Sequence, residues 1–396
     1  MEASIGLFFG TMCRWITLLS ADPVSLSDIV LAPSNSLVQL AKDASFHPEF
    51  TDTNNHAMNG DGFGVGWYHS NVAICPHLNG GNNFLHDEPR AAVFKDTQPA
   101  WNNINLKEIC LATRSNCIIA HVRAASAGTG VSQANCHPFK CGRLLFCHNG
   151  RIDSYSKIKR HFINQVIDEM FYNMHGTTDS ECIFALLLTH LAKDGGESPM
   201  TQTTPFGHKR LVSALKKTLR QIEKLLLECD IVTGFSTCNF SLTDGDTVVV
   251  TRFCDKSPEV PPPSLYFAYG NAQHLYQELT SDDPVLFVQQ LSEGDSEHGG
   301  SAHLDGTDSD ASVDFIETTV DLGTHLSLPG TVYADVEPSE ASFIVASNPL
   351  TKTHTWHPMP KNSVMWCTRG SHPELRLLKG RPSTASQSSI EWTGSI

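Results

Sequence analysis

Short apolar runs punctuated by glycine and polar turns dominate the first half of the chain, and longer helical repeats follow. Cys13 to Leu19 predicts a strand and Ser36 to Ala44 a short helix. Gly62 to Tyr68 predicts a second strand in which glycines alternate with bulkier residues, a pattern that calls for close backbone approach. Cys117 to Val122 is a continuous apolar run of the kind found in buried strands, and Arg143 to Cys147 is another, ending at His148-Asn149-Gly150. A helix is predicted over Tyr155 to Tyr172, with Ile158, Phe162, Ile163, Val166, Ile167 and Met170 on one side. Thr178 followed by Glu181 forms a capping box ahead of the apolar stretch Cys182 to Leu191, which places Asp179 in the first turn. Leu211 to Leu227 carries leucines and lysines at helical spacing.

Beyond that helix the pattern turns to β. Phe235 to Leu242 and Thr247 to Phe253 flank Asp244-Gly245, a hairpin signal, and Ser264 to Tyr269, Ser342 to Ala346 and Ser363 to Cys367 predict further strands. Residues 291 to 317 are Gly, Ser, Asp and His with almost no bulky side chain, so a disordered insertion is expected there. The tail 381–396 reads the same way. The strands on either side of the insertion read as one interrupted domain, residues 13–380.

Composition narrows the function classes. The 396 residues are 40% hydrophobic and 18% charged, and no apolar run approaches the length a membrane span needs. The formal net charge is −14, but it is local: from Ser257 to Thr351 there are 16 acidic residues and no Lys or Arg, leaving 28 basic and 26 acidic residues elsewhere. Nucleic acid is an unsuitable partner for a body without clustered cations. Twelve cysteines with no signal peptide and no Cys-x-x-Cys predict reduced thiols and a cytoplasmic location. Cys136, Cys141 and Cys147, with His137 and His148, match no common zinc spacing, and no metal or cofactor is implied.

Candidate chemistry begins at Cys13, preceded by Met12. A cysteine at a chain's amino terminus carries its own base, because an α-amine with a reference pKa of about 7.7–8.0 can take the thiol proton near neutral pH. With residues 1–12 in place Cys13 lacks that amine. Three further segments follow: Ala120-His121-Val122-Arg123, Cys147-His148-Asn149-Gly150 and Thr178-Asp179-Ser180-Glu181. Taken singly, Arg123 reads as a surface ion-pair residue, Asn149-Gly150 as a tight turn and Asp179 as a helix-start residue.

In their order along the chain, these segments resemble the N-terminal-nucleophile amidotransferases, the class II glutamine amidotransferase family. Asn59-Gly60-Asp61-Gly62-Phe63-Gly64-Val65-Gly66-Trp67-Tyr68, Asn135-Cys136-His137-Pro138-Phe139 and Ala346-Ser347-Asn348-Pro349-Leu350 extend the resemblance. They point to two stand-alone branches: an ergothioneine-pathway γ-glutamyl hydrolase, and the amidotransferase-like subunit of the fungal alternative glutathione-degradation complex. The resemblance implies an α+β fold, the four-layer αββα sandwich of N-terminal-nucleophile hydrolases. It also implies hydrolysis of a γ-glutamyl amide bond in a small thiol metabolite or peptide. Cys13 would be the nucleophile, Asn149 and Gly150 the oxyanion hole, Arg123 the grip on the substrate carboxylate and Asp179 the holder of its α-ammonium. Ser126 falls where relatives carry a hydroxyl that helps bind the carboxylate. By the same resemblance a hetero-complex with a peptidase subunit is expected.

Family members begin at the cysteine, so translation from Met12 or removal of residues 1–12 is expected in the active form. Two alternatives stay open at this level. One is a glutaminase that supplies ammonia to a separate synthase subunit, the chain itself having no Gly-rich phosphate loop. The other is a catalytically inert amidotransferase-like scaffold with a blocked Cys13.

Overall fold

Trp15 and Ile16, adjacent in sequence and both buried, face opposite sides of one strand and enter two different cores. In the computed structural model that division organises the whole chain. The structure describes residues 12–43, 58–69, 90–125, 129–256, 259–271, 275–276, 319–321, 336–352 and 356–378. The expected insertion at 291–317, the tail 381–396, residues 1–11 and Ser126 lie outside the described residues.

The first elements in order are β1 (Arg14–Ser25), α1 (Leu26–Val30), α2 (Leu37–Lys42), β2 (Phe63–His69), β3 (Arg90–Asp96), α3 (Ile104–Ala112) and β4 (Arg114–Val122). Then come β5 (Phe139–Cys141), β6 (Leu144–Arg151), α4 (Tyr155–Ile163), α5 (Asp168–Phe171), α6 (Asp179–Lys193) and α7 (His208–Glu228). The chain continues through β7 (Thr237–Thr243), β8 (Thr247–Arg252), β9 (Tyr266–Asn271), β10 (Thr319–Asp321), β11 (Ala341–Ala346), β12 (His357–Pro358), β13 (Ser363–Thr368) and β14 (Glu374–Leu377).

Two antiparallel sheets result, each of seven strands: β12-β9-β11-β1-β4-β2-β3 and β10-β14-β13-β8-β7-β6-β5. Three apolar layers separate four structural ones. Ile16, Leu18, Ile118 and Ala120 of the first sheet pack on Ile29, Leu37, Ala41 and Leu106 of α1, α2 and α3. Trp15, Leu19, Cys117 and Ile119 turn the other way, onto Leu145, Cys147, Val248, Val250 and Met365 of the second sheet. Phe146, Phe240 and Val249 of that second sheet then meet Phe162, Leu187, Leu215 and Ile222 of α4, α6 and α7. The four-layer αββα expectation is borne out, and it explains the unbroken apolar runs, since both faces of the central strands are covered. No helix among the described residues is long and apolar enough to cross a membrane.

Glycines set the spacing between the sheets at one end. A Cβ on Gly64 would overlap the main-chain carbonyl oxygen of His137, and one on Gly66 would come within 2.9 Å of Leu145 Cδ1. The close approach expected from the alternating glycines is therefore real. At Asp244-Gly245 the hairpin also forms as expected, with Gly245 at φ +90° and the Asp244 carboxylate accepting the Asp246 and Thr247 N–H groups.

One expectation needs correction. Tyr155 to Tyr172 is not one helix but two, α4 and α5, broken at residues 164–167. Gln165 and Val166 close three-residue turns onto Phe162 and Ile163, and the Ile167 N–H is taken by Thr189 Oγ1 of α6 at 3.2 Å. Phe162 and Met170 still bury in the same core, so the apolar periodicity survives the break that ends the helix.

Candidate active site

Three strand ends of the first sheet converge at Cys13. Arg14 opens β1 opposite Val122 near the end of β4, and Phe63 at the start of β2 faces the same Val122 from the other side. Arg123 continues that junction: its N–H donates to the Gly62 carbonyl at 2.8 Å, and its own carbonyl accepts from Asp61 N–H at 3.2 Å. The half-buried Cys13 Sγ thus lies against the next residue, accepting from Ala124 N–H at 3.3 Å and donating to the Ala124 carbonyl at 3.4 Å. Asp61 braces this turn by accepting the Ala125 N–H at 2.7 Å.

Burial pushes the Cys13 thiol above its ordinary pKa, and the Ala124 N–H and the Arg123 and Arg14 charges offset this only in part. A thiol held protonated in this way needs a base before it can attack.

Arg123 is buried, 3% exposed. Its Nη2 donates to Thr129 Oγ1 at 3.3 Å, while Nη1 has no partner among the described residues. A buried guanidinium with an unused donor is suited to an incoming carboxylate, because buried donors otherwise find partners.

The second sheet brings its own strand end to the same place. β6 contacts both β1 and β4, which brings His148 within electrostatic reach of His121 and Cys147 within reach of Cys13. At the end of β6, Asn149 pairs with Asn239 and Gly150 with Cys238 of β7. Asn149 is buried with Oδ1 unpartnered among the described residues. At Gly150 a side chain would overlap the Thr237 carbonyl oxygen, so only glycine lets β6 run this close to β7.

Asp179 is the first residue of α6, where the expected cap forms: Thr178 Oγ1 accepts the Glu181 N–H at 3.3 Å. The Asp179 carboxylate accepts from Ile152 N–H at 2.9 Å and from Ser180 N–H at 2.8 Å, which fixes it against the residue just past β6. A carboxylate has about four lone-pair positions, so two remain for a cation. Glu181 departs from the usual capping box by reaching back to His175 and Gly176 N–H at 2.8 and 2.6 Å, which secures the loop before the helix.

Of the residues expected from sequence, Cys13, Arg123, Asn149, Gly150 and Asp179 thus fall at the paired ends of β1, β4 and β6 and the start of α6. Several neighbours carried no signal of their own. His148, kept neutral by burial, donates from Nε2 to the Thr237 carbonyl at 3.0 Å, which leaves Nδ1 to accept the Ser180 hydroxyl at 2.9 Å. His121 and His137 share a hydrogen bond of 2.9 Å, and burial lowers the His121 pKa to about 3. Both rings are therefore neutral at ordinary pH. Asn59 and Asp61 lie in a segment quoted above for its resemblance, without any role assigned to them.

Comparison with known proteins identifies the family. The family profile described as class II glutamine amidotransferases matches residues 35–283. A probable glutamine amidotransferase of Saccharomyces cerevisiae, DUG3, is 35% identical over 287 residues, covering 70% of this chain and 75% of the yeast protein. The γ-glutamyl-hercynylcysteine sulfoxide hydrolase of Mycolicibacterium smegmatis is 31% identical over 142 residues, 36% of this chain and 52% of that protein. A solved glutamine aminotransferase class-II domain protein from Silicibacter pomeroyi superposes with a TM-score of 0.47 at 16% identity, covering 91% of this chain and 98% of that one. With more than half its length matched by the family profile, this chain belongs to the class II glutamine amidotransferases, a family of amide-hydrolysing enzymes.

Proposed function

We propose that the protein hydrolyses the γ-glutamyl amide bond of a small thiol metabolite or peptide, with Cys13 as nucleophile in a chain that begins at that residue. The observation that carries this reading is the pairing of Cys13 Sγ at Ala124 with the adjacent buried Arg123, whose Nη1 has no partner among the described residues. Arg123 takes the substrate α-carboxylate and Asp179 its α-ammonium, which sets the γ-carbonyl beside the thiol. The freed α-amine removes the thiol proton, and the thiolate adds to the carbonyl carbon. Asn149 and the Gly150 N–H stabilise the oxyanion. As the intermediate collapses, the α-ammonium returns its proton to the leaving amine and a γ-glutamyl thioester remains on Cys13. Water then attacks the thioester and glutamate departs. Ser126 belongs to the carboxylate end of the site in this reading.

Every described cysteine is a free thiol, which goes with a reducing cytoplasmic setting. A complex with a peptidase subunit is part of the same reading, by resemblance. Co-purification of such a subunit with the native protein checks it.

The test is a comparison of kcat/KM on glutathione, γ-glutamylcysteine and free glutamine, with protein whose amino terminus is Cys13 by mass spectrometry. Preference for the thiol compounds supports the proposal, and preference for glutamine favours an ammonia-supplying glutaminase. Inactivity on all three, or full activity of a chain with Met1 intact, removes the α-amine mechanism. Arg123→Lys, which keeps the charge but loses the planar fork, is expected to raise KM by about 30-fold with a smaller change in kcat, from loss of one charge-assisted hydrogen bond. Steady-state kinetics read the split.

A further inference from the structure

Two buried polar side chains beside Cys13 take no part in the mechanism above. Arg14 is 2% exposed and Asn59 is fully buried. Both direct a donor at one acceptor, the carbonyl oxygen of Met12: Arg14 Nη1 at 2.6 Å and Asn59 Nδ2 at 3.2 Å. Arg14 Nη1 also reaches the Cys13 carbonyl at 3.2 Å. Their other polar atoms, Arg14 Nε and Nη2 and Asn59 Oδ1, are buried without partners among the described residues. No carboxylate pairs with this guanidinium among the described residues, although buried charges normally have one.

Peptide geometry connects these donors to the amine. The Met12 oxygen and the Cys13 nitrogen are substituents of one planar amide and lie only about 2 Å apart. Groups that hold that oxygen at 2.6 and 3.2 Å therefore stand within about 5 Å of the Cys13 nitrogen. When Met12 is gone its oxygen goes too, and the two donors and the Asn59 oxygen are left facing a free amine.

We propose that Arg14 and Asn59 form the seat of the Cys13 α-amine in the processed chain: the Asn59 carboxamide oxygen accepts one of its hydrogens, and the Arg14 guanidinium keeps it unprotonated. This rests on the α-amine reading of the reaction. The two are positioning residues, acting on the substrate only through Cys13. A like charge a few ångströms away disfavours the ammonium form, so the amine titrates below the usual range of about 7.7–8.0 and is ready to take the thiol proton at neutral pH. Burial lowers the Arg14 pKa to about 10, which leaves it charged there. The other groups near Cys13 are Arg123, of the same sign, and the Cys136 and Cys147 thiols, which burial keeps neutral. Asp61, hydrogen-bonded to Ala125 N–H, is the carboxylate of the adjoining loop.

The test is the pH profile of kcat/KM for protein beginning at Cys13, on whichever of glutathione, γ-glutamylcysteine and glutamine it cleaves. In the wild type the acid limb is expected below about pH 7.5. Arg14→Met should move it up by about one unit, lowering kcat/KM about tenfold at pH 6.5 with little change at pH 9, and Arg14→Lys should restore it. Asn59→Asp, of equal size but negative, should move the limb in the same direction. Active Arg14→Met and Asn59→Asp proteins with an unmoved limb overturn the proposal. Should both variants fail to fold, a wild-type limb at or above the reference amine range overturns it alone. A processed wild type that cleaves none of the three compounds removes the reaction itself, an outcome separate from an active enzyme whose limb stays put.

Discussion

Cys13→Ala, made in a chain that begins at residue 13, is expected to lower γ-glutamyl hydrolysis by at least about 10⁴-fold, since removal of a covalent nucleophile leaves only binding and oxyanion stabilisation. The fold should tolerate it. Cys13 is half-buried, and its thiol touches the rest of the protein through the Ala124 backbone, a pair of sulfur contacts at 3.3 and 3.4 Å. Thermal unfolding should therefore stay close to wild type while single-turnover assays show no thioester. A residual rate within tenfold of wild type, with substrate bound normally, would take Cys13 out of the mechanism. The Ala variant also separates binding from chemistry, because Arg123 and Asp179 remain to hold the substrate.

Gly150→Ala is expected to damage fold and rate together. Its new Cβ would overlap the Thr237 carbonyl oxygen and stand 2.6 Å from His148 Nε2. That oxygen is the acceptor of the His148 Nε2 hydrogen bond, so the methyl group forces apart β6, β7 and the ring that ties them. Neither obstacle is the free end of a flexible side chain, so the strand itself must shift. Overpacking of this kind costs about 3 kcal/mol, which for a chain of this size lowers Tm by about 4 °C. In the fraction that stays folded, a displaced N–H at residue 150 should cost on the order of 10² in kcat. Calorimetry and kcat measured well below the transition check the two parts independently. An unchanged Tm would mean that β6 and β7 do not run this close.

The central strands were readable because burial on both faces writes itself as unbroken apolar sequence, as in Cys117 to Val122. β3 and α3 were not. β3 is an edge strand with most of its residues partly exposed, and α3 buries only Leu106 and Cys110, so neither shows a strong period. The single helix expected over Tyr155 to Tyr172 failed for a tertiary reason, Thr189 of α6 taking the Ile167 N–H that would have continued it. For the site, Cys13, Arg123, Asn149, Gly150 and Asp179 were visible through the order of their segments. Arg14 and Asn59 could not be read for what they do, because their shared acceptor, the Met12 carbonyl, is a backbone atom that no side-chain pattern marks. The His121–His137 pair was equally silent, being formed between β4 and the bend ahead of β5, which only the fold brings together.

Packed sheets usually stand about 10 Å apart because side chains prop them open. Where Gly64 of β2 faces the His137 carbonyl there is no prop, and main chain meets main chain. The gap beneath the catalytic end is therefore a fixed gauge. No substitution on that stretch of β2 can tighten it, and any larger residue can only pry it wider and drag Arg123, bonded to Gly62, away from its place. A designer who wants this protein to accept a bulkier leaving group has to work from the rim of loops, leaving the floor untouched.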